Sequence, residues 1–325
     1  MNGKTEKALI ADKKMMKKLE MCPPILRDFY FSMKEEDKSY TTMSNYIDHV
    51  LLFMNFYTNG RYKRDFYKTV KSADIKRYMS SLKTKEVNGE IVEIGDDIRA
   101  ARWSSLNAFF GFLEQNDYID DNPMRKTKRP KIKTEHEVTY LSEDEIKGLL
   151  DNIKVNAEPR FLSRDLCIVS LGIATGLRIS AICNINIEDI DFAQNRIRVN
   201  EKGNKIRYIP FGDNLKQLIN DCLRDREVYY PDAGTNALFV SRNHNRISTR
   251  AASEMLQKYV SDVTDKHITP HKLRASCAVN IYDKTKDIMV VKEILGHENI
   301  ETTMRYSRAA EKSKAEAVAF MDELI

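Results

Sequence analysis

The sequence predicts a mainly α-helical protein with one small β-sheet, divided into a helical N-terminal domain and a mixed α+β C-terminal domain. Apolar residues recur at helical spacing through most of the 325 residues. The pair Asn122-Pro123 ends this periodicity and precedes a polar, basic stretch, which indicates a domain boundary. In the second half, "RIRVN" and "KIRYIPF" alternate in polarity on either side of "EKGN" and predict a β-hairpin.

The first half is predicted to be a helical bundle at residues 21–122, preceded by an N-terminal extension at residues 1–20. "YTTMSNYIDHVLLFMNFYTNG" carries an apolar stripe and ends at Asn59-Gly60, and "SADIKRYMSSLKT" begins with Ser72 as the expected N-cap. A turn or short hairpin at Asn88-Gly89 separates these helices from a further one, "DDIRAARWSSLNAFFGFLEQNDYI".

The second half, residues 139–325, is predicted to combine helices with the hairpin. Ser142 and Glu145 form a capping box, and the apolar run "FLSRDLCIVSLGIATG" predicts a buried helix that Gly176 ends. "RISAICNI" begins another helix before the hairpin. Further helices are expected at Asp213–Arg224, Arg250–Asp262, Pro270–Tyr282, Ile288–Leu295 and Ile300–Ser307.

Positive charge is concentrated around the predicted boundary. The net charge of +5 lies in residues 1–137, and residues 138–325 are balanced. The segment "MRKTKRPKIK" holds six bases and no acid, which predicts a basic linker at residues 123–138 that contacts a polyanion such as DNA. A solvated linker that binds nothing is the alternative. The expected contacts are Arg125, Lys126, Lys128, Arg129 and Lys131.

Composition excludes several classes of protein. No apolar run approaches the ~18–20 residues that span a bilayer, and the charged N-terminal run lacks a signal core, so no membrane partner is expected. Five scattered cysteines without C-x-x-C spacing predict reduced thiols in the cytoplasm and no zinc site. The sequence has no P-loop, and its second half has no acidic motif typical of Mg²⁺ ligands, so we expect neither a cofactor nor a metal.

Four short pieces of the second half carry groups suited to one chemistry, phosphoryl transfer at a phosphodiester. Each piece is weak by itself, and Tyr306 alone is most simply a helix residue that covers the core. Together and in this order they favour catalysis. The pieces are "ATGLRIS" with Arg178, "NEKGNKIRYIP" with Lys202 at the hairpin tip, "TPHKLRASCA" with His271 and Arg274, and "LGHENIETTMRYS" with His297 and Tyr306.

The residue types match the steps of that chemistry. The transition state carries negative charge on its equatorial oxygens, and the planar, permanently charged guanidinium groups of Arg178 and Arg274 suit them. Lys202 would protonate the leaving alkoxide, and His271 would bond the phosphate or take the nucleophile's proton, while His297 would hold a phosphate oxygen. Tyr306 would attack, and because a free phenol has a pKa of ~10, neighbouring cations would have to stabilise its phenolate.

On these six residues the chain resembles the tyrosine recombinase (phage integrase) family, and its layout looks most like the Xer-type and simple transposon-type members. All six family positions hold the usual residue types. Ala181 stands where members often have an acid, and Ala275 where they often have a second histidine. Both departures lie beside the arginines, and neither removes a catalytic group.

The resemblance implies a core-binding (SAM-like) helical domain and a catalytic domain that clamp duplex DNA. Tyr306 would form a 3′-phosphotyrosyl link, and two rounds of strand transfer would pass through a Holliday junction held by a homotetramer on two DNA sites. No metal or nucleotide would be consumed. The family does not fix the DNA sequence, the element served (phage, conjugative transposon or chromosome-dimer resolution), the crossover spacing or any accessory directionality factor.

Further DNA contacts are expected around the hairpin and at the start of a later helix, although a solvated basic turn is an equal alternative for the latter. The tail after residue 309 is predicted to be a short helix that docks on a neighbouring protomer, with packing on its own domain as the alternative. Two other functions stay open: a DNA-binding protein without catalysis, and a type IB topoisomerase. The expected contacts are Lys205, Arg207, Arg242, Arg246, Thr249 and Arg250.

Overall fold

A computed structural model of the protein describes residues 3–61, 64–87, 90–131, 138–200, 206–297 and 299–309. The chain divides into two compact units, Met1–His136 and Glu137–Ile325. Both are dominated by helices, and the second contains a small antiparallel sheet, as the sequence predicts.

The first unit is a helical bundle with one β-hairpin. Aromatic side chains of α5, including Phe109 and Phe110, pack on Phe53 of α3 at the centre of its core. The predicted end of α3 is confirmed, because Asn59 adopts the left-handed conformation. The elements are α1 (Gly3–Leu19), α2 (Pro24–Glu35), α3 (Tyr40–Thr58), α4 (Ser72–Ser81), β1 (Thr84–Val87), β2 (Glu90–Glu93) and α5 (Asp96–Gln115).

The packed part of this unit is larger than the predicted residues 21–122. Met15 and Leu19 of α1 are buried in the core, so the predicted extension contains a helix of the bundle. At the other end, Met124 is 2% exposed in a 3₁₀ turn, and the Trp103 indole donates a hydrogen bond of 3.0 Å to Thr127 Oγ1. The beginning of the predicted linker is therefore part of the helical unit.

The second unit is built of helices around α7, whose predicted burial is confirmed. Its elements are α6 (Glu143–Asn156), α7 (Pro159–Thr175), α8 (Ile179–Cys183), β3 (Ile190–Asp191), β4 (Arg196–Asn200), β5 (Ile206–Pro210), α9 (Asp213–Tyr229), α10 (Thr249–Val260), α11 (Pro270–Thr285), α12 (Ile288–Leu295) and α13 (Glu301–Ala309). The sheet has the order β3-β4-β5, with β4 and β5 as the predicted hairpin; the two-residue β3 carries too little pattern to be predicted.

The helix ends of the second unit position the residues of interest. The predicted capping box is present, because Ser142 N donates to Glu145 Oε2 and Glu145 N to Ser142 Oγ. Helix α7 ends at Gly176 with φ +60°, and α12 ends at Gly296 with φ +66°, both in the left-handed region. Thr269 caps the start of α11 by accepting a hydrogen bond from Lys272 N.

Candidate active site

Arg274 joins the ends of two helices to the start of a third. It lies in the second turn of α11 and is only 2% exposed. One terminal nitrogen donates to Gly176 O at 2.5 Å, and the other donates to Leu295 O at 2.7 Å. Because two carbonyls hold the guanidinium, its plane is fixed relative to the C-terminal ends of α7 and α12.

Arg178 reaches the same site from a different segment. It is the N-cap residue of α8, two residues beyond the left-handed Gly176, and its side chain is exposed. Its charge is one of those that lower the pKa values of both His271 and His297. Arg178 and Arg274 thus act on the same two histidines, and the catalytic roles of these four residues stay predictions.

Tyr306 projects from α13 into the site with its ring buried. The residue is 1% exposed and packs in a small core with Ala275, Val291 and Leu295. Its ring is stacked near the His297 imidazole, with centroids 6.3 Å apart and planes at 19°. The ring therefore covers core, as the simpler interpretation predicts, while the hydroxyl contacts the Arg305 guanidinium, and the role of Tyr306 as nucleophile stays a prediction.

The surroundings of the two histidines lower the pKa values of both and so favour their neutral forms. Burial, then Arg274, Arg178 and Arg305, lower the pKa of His297 to about 4. His271, at the start of α11, has its pKa lowered by desolvation and by the same three arginines. His297 Nδ1 lies 2.9 Å from Thr303 Oγ1, a bond in which either group can hold the proton.

Two residues of the site were missed by sequence reasoning. Arg305 Nη2 lies 3.0 Å from Tyr306 Oη and 3.3 Å from His271 Nε2. Adjacent helix residues do not usually face each other, so the spacing gave no reason to place Arg305 beside Tyr306 Oη. Thr303, which contacts His297, is fully buried, and its position one turn before Tyr306 on the same face was the signal available.

Lys202 and Lys205 lie outside the described residues, and their roles stay predictions. Arg207 of β5 is described, and it donates to Glu293 O at 3.1 Å and Ile294 O at 2.7 Å, the last carbonyls of α12 before Leu295. Strand β5 is thereby tied to the segment that precedes His297. This geometry gives Arg207 a structural role within the domain, and its predicted DNA contact stays untested.

The other expected DNA contacts are mostly at the surface. Arg246 differs: its guanidinium donates to Cys183 O, Ile185 O and Asn186 Oδ1, so it braces the loop after α8. Arg242 and Arg250 are well exposed and form ion pairs with Glu158 and Glu254. Arg125 forms an ion pair with Glu114. The remaining expected contacts are also exposed; they are Arg125, Lys126, Lys128, Arg129, Lys131 and Thr249.

The described residues show neither a group of metal ligands nor a helix that could cross a membrane. No group of three or more His, Cys, Asp or Glu side chains among the described residues is arranged to hold a metal ion. In the same part of the chain, no helix is both long and apolar enough to cross a membrane.

Comparisons with known proteins agree with this arrangement. The sequence profile described as the Phage integrase family matches residues 139–313. The chain is 35% identical over 218 residues to tyrosine recombinase XerC of Syntrophus aciditrophicus (strain SB), which covers 64% of this chain and 68% of the relative. It is 30% identical over 321 residues to XerC of Caldanaerobacter subterraneus subsp. tengcongensis, covering 91% of this chain and 86% of the relative.

Solved structures show the same fold. XerH site-specific recombinase bound to palindromic difH substrate, a post-cleavage complex, is similar with a TM-score of 0.69 at 17% identity, over 89% of this chain and 82% of that one. The Tn1549 transposon integrase in complex with circular intermediate DNA is similar with a TM-score of 0.65 at 21% identity, over 86% and 94% of the two chains.

Proposed function

The chain belongs to the phage integrase family, the tyrosine recombinases, and we propose that it is a site-specific DNA recombinase in which Tyr306 is the nucleophile. It would cleave and rejoin DNA strands through a 3′-phosphotyrosyl intermediate and a Holliday junction. One observation carries the proposal. The Tyr306 hydroxyl lies 3.0 Å from an Arg305 nitrogen that also contacts His271, and the Tyr306 ring is stacked near the His297 imidazole.

The geometry supports separate catalytic roles for the residues of the site. Arg178 and Arg274 would stabilise the charge that develops on the scissile phosphate, since both guanidinium groups lie near the imidazoles that flank Tyr306. A neutral His297 would donate one N–H to a phosphate oxygen. A neutral His271 would accept the phenol proton as the oxygen of Tyr306 attacks phosphorus and the 5′-oxygen of the next nucleotide leaves.

The first test is covalent capture of DNA by Tyr306→Phe. A bound duplex is first selected from a random pool, and a nick is then placed beside the scissile position so that the cleaved end diffuses away. We expect the wild-type chain to accumulate a covalent adduct, and the variant to bind the duplex with similar affinity but form none. An adduct formed by the variant at the wild-type rate would refute the assignment of Tyr306.

The second test addresses Lys202, which we propose as the acid that protonates the leaving 5′-oxygen. Lys202→Ala should slow cleavage by about two or more orders of magnitude, a size typical of lost general acid catalysis. A substrate with a 5′-bridging sulfur should restore much of the rate, because a thiolate leaves without protonation. If the sulfur substrate is cleaved as slowly as the oxygen substrate by the variant, Lys202 is not the acid.

DNA and further copies of the chain are the proposed partners. The proposal of a homotetramer on two DNA sites is supported by a solved fold neighbour described as a lambda integrase tetramer bound to a Holliday junction. Such a substrate would place the chain in the cytoplasm. Incubation with supercoiled DNA and with paired sites separates this function from a topoisomerase, because only recombination yields joint products. Sizing the complex on one and on two sites tests the tetramer.

A further inference from the structure

Arg305 is placed between the two groups that must exchange a proton in the proposed reaction. Its Nη2 atom lies 3.0 Å from Tyr306 Oη and 3.3 Å from His271 Nε2. Its guanidinium carbon lies 5.0 Å from the centroid of the Tyr306 ring. A single cationic nitrogen is therefore shared by the proposed nucleophile and the proposed base.

The chemistry of the arginine side chain fixes which atoms donate. A guanidinium has only donors, so both Tyr306 Oη and His271 Nε2 accept hydrogen bonds from Arg305. A neutral His271 that accepts at Nε2 carries its proton on Nδ1. The nitrogen that would later take a proton is thus unprotonated, and it shares the Arg305 donor with the phenol oxygen before DNA arrives.

The surroundings of Arg305 do not explain its position as an ordinary surface ion pair. Its side chain is exposed, and Glu301 lies one turn earlier on α13, at the spacing that favours a pair. Within the described residues, however, no carboxylate forms an ion pair with Arg305, and its hydrogen bonds go to Tyr306 and His271. The side chain extends toward the reacting groups and away from the nearest acid on its own helix.

We propose that Arg305 is a positioning residue of the strand-cleavage reaction, which holds Tyr306 Oη and His271 Nε2 on one donor group and so aligns the two for proton transfer. The proposal rests on the proposed function. Nothing in the six-residue pattern assigns Arg305 a role. Its charge would also stabilise the negative charge that develops on the phenol oxygen as the proton moves to His271.

Among the described residues, four charged or titratable groups lie near His271, and the three arginines among them lower its pKa. The four groups are Arg305 from α13, Arg274 from α11, Arg178 from the N-cap of α8, and His297 from the segment between α12 and α13. Desolvation, then the three arginines, lower the pKa of His271 below 6.5. Removing the Arg305 charge must therefore raise this pKa. Since the base acts when neutral, the acid limb of the pH–rate profile would move to higher pH.

The experiment measures the rate of covalent capture of the nicked duplex against pH, in the full chain, for Arg305→Gln and Arg305→Lys. Arg305→Gln removes the positive charge, and Arg305→Lys keeps the charge but replaces the planar guanidinium with a single ammonium group. Lys284→Gln is the matched control, since it removes an exposed cation near the other end of α11, about 20 Å along the helix from His271. Circular dichroism and duplex affinity are measured for every variant. Tyr306→Phe, which lacks the proposed nucleophile, gives the background level of covalent capture.

We expect Arg305→Gln to capture DNA roughly ten- to a hundredfold more slowly at neutral pH, the range for a lost charged hydrogen bond, with duplex affinity changed less than about threefold. Its acid limb should move to higher pH, whereas Arg305→Lys and Lys284→Gln should keep the wild-type limb. An unmoved limb in Arg305→Gln, or a limb moved equally in Arg305→Lys, overturns the proposal. An adduct in Tyr306→Phe would instead overturn the proposed function, so the two failures are distinct.

Discussion

Gly176 connects the stability of the catalytic domain to the geometry of its site, and Gly176→Ala tests that connection. The residue ends α7 with φ +60°, a conformation that side chains with a Cβ rarely adopt. An added Cβ would lie 2.5 Å from Leu295 Cδ2 and 3.2 Å from Cys277 Sγ. Leu295 is fully buried, and its carbonyl oxygen is one of the two that hold Arg274.

The expected cost follows from these two effects. A left-handed conformation costs an alanine about 1–2 kcal/mol. Overpacking a buried site costs about 1–3 kcal/mol more, and both Leu295 and Cys277 are buried. The free energy of unfolding should therefore fall by about 2–5 kcal/mol. Any shift of Leu295 also moves an anchor of Arg274, so the rate of DNA capture should fall in the molecules that stay folded.

Urea unfolding followed by two probes measures this effect in the full chain. The single tryptophan, Trp103, lies in the first unit and reports its unfolding, whereas far-ultraviolet circular dichroism reports both units. Gly176→Ala should shift a dichroism transition to lower urea and leave the fluorescence transition in place. Gly234→Ala is the control, since a Cβ there meets nothing within 4 Å. A free energy for Gly176→Ala within about 0.5 kcal/mol of wild type would refute the reasoning.

Three further predictions each concern the hydrogen bonds of one residue. Thr303→Val removes the hydroxyl 2.9 Å from His297 Nδ1, so the ratio of the two neutral His297 tautomers should change in ¹⁵N NMR spectra and DNA capture should slow about fivefold, unlike in Thr302→Val; unchanged ring shifts would contradict this. Burial alone would raise the pKa of Glu145, but hydrogen bonds from Lys266, Ser142 N and Thr264 lower it to about 2. The charged carboxylate therefore stabilises the fold fully above its unfolded pKa of 4.5, and this stabilisation is lost progressively as the pH falls toward 2. Glu145→Gln should flatten that part of the stability–pH curve, and a curve identical to wild type would exclude the role. Arg207→Met removes two bonds to α12 carbonyls and should lower the free energy of unfolding by about 2 kcal/mol in urea, with a change below about 0.5 kcal/mol counting against it.

Local patterns predicted much of the fold because they act through neighbouring residues. Apolar spacing located α3 and α5, and the alternation on either side of "EKGN" located β4 and β5. The end of α7 was predictable from Gly176, whose missing Cβ is required by φ +60°. Among the described site residues, Arg178, His271, Arg274, His297 and Tyr306 were predicted from spacing and come together, while Lys202 lies outside the described part of the chain.

The features that were not predictable depend on the direction of a side chain. The sequence does not show whether a basic residue near a hairpin or a helix start faces solvent, DNA or a carbonyl of its own domain. In the structure, Arg207 and Arg246 both donate to carbonyls within the domain. Helix α1 was taken as an extension because its sequence is highly charged, yet Met15 and Leu19 suffice to dock it. Arg305 was overlooked since helical spacing does not place adjacent residues together.

The way Arg274 is held links its position to the backbone at two helix ends. One terminal nitrogen donates to Gly176 O and the other to Leu295 O, at the C-terminal ends of α7 and α12, where backbone carbonyls lack helical partners and carry partial negative charge. Arg274 is in turn the largest cause after burial that lowers the pKa of His297, to about 4, and so favours its neutral form. The two left-handed glycines that end these helices therefore help to position the Arg274 guanidinium. Replacing Gly296 by alanine should slow DNA capture by moving the same Leu295 anchor that Gly176→Ala disturbs, and a capture rate equal to that of the wild-type chain would contradict this.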